Sequence, residues 1–211
     1  MSRLMIAALA ATACLSWSGA HAQVTTKTFT LKPEVKFLNC FAANVAKPPT
    51  ATVTVSRAGQ RDHLILDVNG LKPGLRFDVF TVQRSNLLAD GSVDPAFTNF
   101  GLAWYQSDIE IGKHRDEGHV RIKTILLDQI FGFDPDAALP PTNTFHLGFW
   151  FNNPQDAAAC GFPANDPSKF TPFNGEHKAG PLAMISVPDP STKLGPLCTD
   201  PDPQHPGGCN P

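Results

Sequence analysis

Beyond its first fifteen residues this sequence nowhere gathers the roughly 18 to 20 consecutive apolar residues that a membrane-spanning helix requires. No membrane insertion by a helix is expected of the mature chain. Charge is sparse as well. Only 17% of the residues are Asp, Glu, Lys or Arg, with neither sign dominant, so no nucleic acid or anionic membrane partner is expected. Gly-x-Ser-x-Gly is absent, which removes the nucleophile turn of the α/β hydrolases. Cys-x-x-Cys is absent too, and with it the usual anchor of a structural zinc site. Tyrosine occurs once, as Tyr105, against 15 phenylalanines, 20 prolines and 16 glycines. That balance favours short strands joined by tight turns over long helices.

What is present begins with an address. Arg3 precedes an apolar run from Leu4 to Leu15, and Ala20-His21-Ala22 precedes Gln23, the pattern of a secretory signal peptide over 1–22. The mature protein is therefore expected to be secreted or periplasmic. Cleavage leaves 189 residues with 16 basic and 19 acidic side chains, enough for one domain with a real core. Cys14 leaves with the leader, so Cys40, Cys160, Cys198 and Cys209 form an even set bound for an oxidising compartment. Two disulfides are expected, and four cysteines allow three pairings. Cys40 with Cys160 and Cys198 with Cys209 is preferred, because the second would close a short Pro-rich loop that has no core of its own.

Alternating apolar and polar residues mark the strands. Lys27 to Leu31 and Glu34 to Leu38 read as strands broken by Pro33. Thr50 to Ser56 and His63 to Val68 read as a hairpin turning at Ala58-Gly59-Gln60. Arg76 to Val82 is apolar on both faces, as an interior strand is. The polar, turn-rich stretch from Ser85 to Thr98 reads as a long surface connection, after which Phe100 to Tyr105 returns to strand character. Residues 114–119 read as a solvated hairpin tip between Ile109 to Gly112 and Val120 to Leu127, with a single helical turn near Thr124 to Phe131. Leu182 to Val187 is a last strand, and Pro188 to Pro211 holds seven prolines. An all-β, antiparallel sandwich of Greek-key type over 23–187 is expected, a single domain with long loops and a Pro-rich tail over 188–211.

The most informative stretch is Thr144 to Asn153. Phe145, Leu147, Phe149 and Phe151 alternate with His146, Gly148, Trp150 and Asn152, so four large apolar groups share one face. The other face, with an imidazole, an indole and an amide, is expected to look outward as a ligand-binding surface. Asn174 to His177, with Glu176 and His177, would lie at its edge. Trp104 and Tyr105 are adjacent, so one must face each side of the sheet. Flat rings beside amides are the mix that sugar and peptide platforms use. The expected partner is a small molecule, a glycan or a protein. No sequence motif calls for a cofactor. The alternative is a metal site or metal-dependent enzyme built from His146, Glu176 and His177. Asp67, Asp78, Asp108, Asp128 and Glu176 supply carboxylates from which a hydrolytic pair would have to come.

Val68-Asn69-Gly70-Leu71-Lys72-Pro73-Gly74-Leu75 followed by Phe77-Asp78-Val79-Phe80 resembles the strand-turn-strand of the copper/zinc superoxide dismutase and CHRD-like sandwiches. That resemblance covers about fifteen residues and implies a Greek-key sandwich. Asp78 and Phe80 stand where the family places copper-binding imidazoles, so the catalytic copper site does not carry over. Phe100 to Asp108 and Thr171 to His177 are also similar to uncharacterised secreted bacterial proteins, a resemblance that implies export and no particular activity.

Overall fold

A computed structural model describes residues 25–58, 61–113, 118–127, 144–171 and 179–198. Among the described residues nine strands form one sheet: β1 (Thr25–Pro33), β2 (Thr50–Ala58), β3 (Arg61–Asn69), β4 (Arg76–Val82), β5 (Ala103–Glu110), β6 (Val120–Leu127), β7 (Thr144–Phe151), β8 (Leu182–Ser186) and β9 (Leu197–Cys198). The order is β5-β4-β7-β8-β1-β2-β3-β6, with β9 beside the start of β7. Every pairing between these strands is antiparallel. The all-β single domain expected from the alternation is what the chain forms.

The sheet curls until both halves face one interior. Val53, Leu64 and Leu66 from β2 and β3 join Phe77, Val79, Leu147 and Phe149 from β4 and β7 in a single core. The end strands β5 and β6 come within 8 Å of each other without pairing, which makes the arrangement barrel-like. Here the sequence-based expectation needs correction. Ile109 and Glu110 at the end of β5 and Val120 to Leu127 in β6 lie on opposite edge strands of the sheet order, and no hairpin ladder joins them. The chain carries β6 across to β3 instead, where Leu64 opposes Thr124 and Leu66 opposes Ile122. Half-buried Ile122 and Val120 then pack on the core, and that burial outweighs the local turn.

A second correction concerns Glu34 to Leu38. Val35–Phe37 is a 3-10 turn, and Leu38–Phe41 forms the single α-helical turn α1. Glu34 begins it by accepting from the Lys36 amide at 3.4 Å. The helical path brings Phe37 and Phe41, four residues apart, close together on one face. Both rings meet Phe151 edge-on, with centroids 6.4 and 6.0 Å away. This plug is tied to the 3-10 turn Pro154–Cys160 by the disulfide Cys40–Cys160, which spans 120 residues. On a chain-entropy account a loop of that length is worth about 4 to 5 kcal/mol. Cys198 is disulfide-bonded as well, and the expected pairing with Cys209 lies outside the described residues. Leu197 is buried in the main core, so the folded domain runs past the expected boundary at Val187 to Cys198. The helical turn expected beyond Leu127 lies outside the described residues.

Gly118 and Gly161 test two different demands on the backbone. Both have positive φ, but a Cβ on Gly118 would collide with the Leu71 carbonyl oxygen, whereas one on Gly161 would meet nothing within 4 Å. Gly161→Ala is expected to cost about 1 kcal/mol from the left-handed backbone alone. Gly118→Ala is expected to cost at least about twice that, because the clash adds to the strain. Urea titration of the two variants checks the ranking.

Candidate functional site

Strand β7 lies between β4 and β8, and both of its faces are covered. His146 and Trp150, expected to look outward, are 4% and 0% exposed. The cover is a second apolar layer in which Phe80, Val82, Leu182 and Ile185 surround Trp150, closed from above by Leu87 and Phe100 of the connection between β4 and β5. Phe80 and Phe100 meet the indole edge-on, with centroids 5.7 and 5.1 Å away. Gly148 makes room for this. A Cβ there would lie 2.9 Å from the Met184 carbonyl oxygen and 3.0 Å from the indole carbons, so the missing side chain lets Trp150 lie along its own strand. The stretch from Ser85 to Thr98 is thus no mere surface excursion. Its apolar members Leu87 and Phe97, with Phe100 just beyond it and a glycine inside a strand, were the signals that the second face is packed.

Polar atoms hold the same layer down. His146 Nδ1 lies 3.2 Å from the Ser186 carbonyl oxygen and 3.1 Å from its Oγ. A carbonyl only accepts, so Nδ1 carries the proton and donates. The Ser186 Oγ accepts from the Leu147 amide at 3.1 Å, and Ser85 Oγ donates to the Ser186 carbonyl at 3.0 Å. The Leu87 amide in turn donates to Ser85 Oγ at 3.2 Å. This chain of bonds pins the covering connection to β8. The Ser–His pair is no catalytic dyad, since Ser186 has no exposed surface and a substrate cannot reach it. Burial holds the His146 imidazole down to about 4, only partly offset by the Ser186 carbonyl.

Solvent reaches the outer face further along β4. Register places Asp78 opposite both Asp108 on β5 and Trp150 on β7, and Phe80 opposite Tyr105. An irregularity between Val79 and Phe80 skips one residue of β5, which brings Tyr105 and Asp108 to the same face although they are three apart. Asp78 is 2% exposed, and its Oδ1 accepts from Asn152 Nδ2 at 2.8 Å. Tyr105 is 48% exposed and stacks edge-on against Phe80 at 5.8 Å. Its hydroxyl is pushed up to about 12, first by desolvation, then by donation to Asp108 and by the negative charge of Asp108 and Asp78. The phenol therefore stays protonated and oriented.

Of the residues singled out in the sequence, Tyr105 and Asn152 lie on this rim, each bonded to one carboxylate of the Asp78–Asp108 pair. Trp104 opposes Thr81 on the other face and is half-buried, as adjacency to Tyr105 required. Glu176 and His177 lie outside the described residues. Among the described residues no group of three or more His, Cys, Asp or Glu side chains is arranged to hold a metal. Asp78 and Asp108 are two of the five candidate carboxylates named from the sequence, and the cross-strand register is what singles them out. Among the described residues no helix is long and apolar enough to cross a membrane. No protein-family model matches this chain, and no curated protein or solved structure matches it.

Two titrations follow from this geometry. An imidazole held at about 4 when folded, against 6.5 when exposed, lets the unfolded chain bind the extra proton between those values. Stability is complete above pH 6.5 and is expected to fall by roughly 3 kcal/mol on reaching pH 4. His146→Gln should remove that share of the acid sensitivity, measured as denaturant midpoints across the window. Tyr105 is the sole tyrosine, so near-ultraviolet phenolate absorbance reports it alone. Its midpoint is expected well above 10 and should drop in Asp108→Asn, with far-ultraviolet dichroism recorded at each pH to confirm that the fold persists.

Proposed function

We propose that this is an exported bacterial, non-catalytic binding module that recognises a glycan through Tyr105, Asp108 and Asn152. The signal-peptide pattern and the Cys40–Cys160 disulfide support an oxidising, extracytoplasmic setting. The observation that carries the reading is an exposed phenol fixed by one carboxylate beside an amide fixed by another. A flat ring flanked by oriented donors and acceptors suits a sugar, whose faces are apolar and whose rim is hydroxylated. His146 and Trp150 serve the site from beneath, by holding β7 and its cover rigid.

Hydrolysis fits less well. Asp78 is sealed, whereas two carboxyl groups must flank a glycosidic bond for that chemistry. A sandwich of the superoxide dismutase and CHRD-like kind fits the strand order, in which the chain leaves β3 for β4 and β5 before β6 returns beside β3. Asp78 and Phe80 occupy the outer face there without imidazoles, in keeping with a binding role.

Glycan-array screening followed by titration of the best ligand tests the proposal. Tyr105→Ala and Asn152→Ala are each expected to weaken binding at least tenfold while thermal melts show the domain still folded. A wild-type protein that retains no glycan, or variants that bind as tightly as wild type, would overturn it.

A further inference from the structure

Arg76, Lys113 and Arg121 line an open cleft of about 460 Å³ where the first residues of β4 and β6 and the last of β5 come together. Among the described residues Glu110 is the one acidic side chain of the lining, which there carries two net positive charges on a chain that is negative overall. Among the described residues each guanidinium is held to a carboxylate through one nitrogen. Arg76 Nε lies 3.3 Å from Glu110 Oε1, and Arg121 Nη1 lies 3.2 Å from Asp67 Oδ2. A guanidinium has five N–H donors, so most of those on both arginines remain for a ligand. Lys113 enters no ion pair among the described residues. Its Cγ lies within ordinary van der Waals reach, 3.5 Å, of where a Cβ on Gly74 would stand, so the lysine stem passes beside the Gly74 turn. The floor itself is fixed by backbone, with the Gly74 amide donating to the Ile111 carbonyl at 2.8 Å and the Ile111 amide to that of Leu75 at 3.0 Å.

We propose that this cleft binds a tetrahedral oxyanion, the phosphate or sulfate group of a small ligand. Two pre-oriented forks and a mobile ammonium around a shallow cavity match three outward oxygens of such a group. The Asp78–Asp108 pair one rung along β4 opposes anions, which restricts the group to the Arg76 end of the face.

Calorimetric titration of the mature protein with inorganic phosphate, and separately with sulfate, at ionic strength held constant with sodium chloride, tests this. Saturable one-to-one binding of either anion is expected, weakened at least fivefold in Lys113→Met and unchanged in Lys123→Met, which removes an exposed β6 charge outside the lining. Binding of one anion alone names the ester class. Both lysines are exposed, and thermal melts verify that each variant folds. No saturable binding of either anion, or equal losses in the two variants, would overturn the site, and neither result bears on glycan recognition at Tyr105.

Discussion

The burial of β7 on both faces is the constraint on which the rest of the molecule depends. A strand with solvent on one side needs only alternation, but a strand covered on both sides needs every outer-face group packed or hydrogen-bonded. His146 meets that demand through Ser186, and Trp150 meets it through the space left at Gly148. An uncovered β7 would expose an indole and the ring edges around it. The covering connection and the strand are therefore one unit, joined by Ser85 and Ser186 across 101 residues of sequence. A fully buried indole and its neighbouring rings stabilise by several kcal/mol, which is ample to order a stretch whose local composition favours turns.

Much of the sheet was legible because its strands have one apolar face each. Thr50 to Ser56 and His63 to Val68 pair residue by residue as their alternation required, and β4 is interior as its two apolar faces required. What escaped was anything decided by contacts distant in sequence. The outer face of Thr144 to Asn153 carries polar atoms, and an imidazole in a strand looks the same whether it meets water or a carbonyl 40 residues away. Glu34 to Leu38 has the composition of a strand, yet its Phe37 finds its partners in Phe151 on β7 and in Phe162. The candidate rim was half legible. Tyr105 and Asn152 stood out by type, whereas Asp78 and Asp108 became neighbours only through the register of β4 with β5.

The outer face of β4 shows why the two proposed sites lie where they do. Arg76, Asp78, Phe80 and Val82 follow one another along that face. Arg76 is exposed, whereas Asp78, Phe80 and Val82 are all buried, Val82 with no exposed surface. The connection from Gln83 to Leu102 leaves from the Val82 end and folds back over it, as the contact between Phe100 and Trp150 requires. Covered positions must be apolar, so phenylalanine and valine stand there. The cover thins toward Arg76, and charge becomes affordable only where water can still solvate it. Asp78 sits at the transition: it is sealed, and an amide hydrogen bond from Asn152 replaces part of the solvation it has lost. A carboxylate held there fixes the amide in return, so the edge of the apolar layer, and not the layer itself, is where oriented polar groups meet solvent.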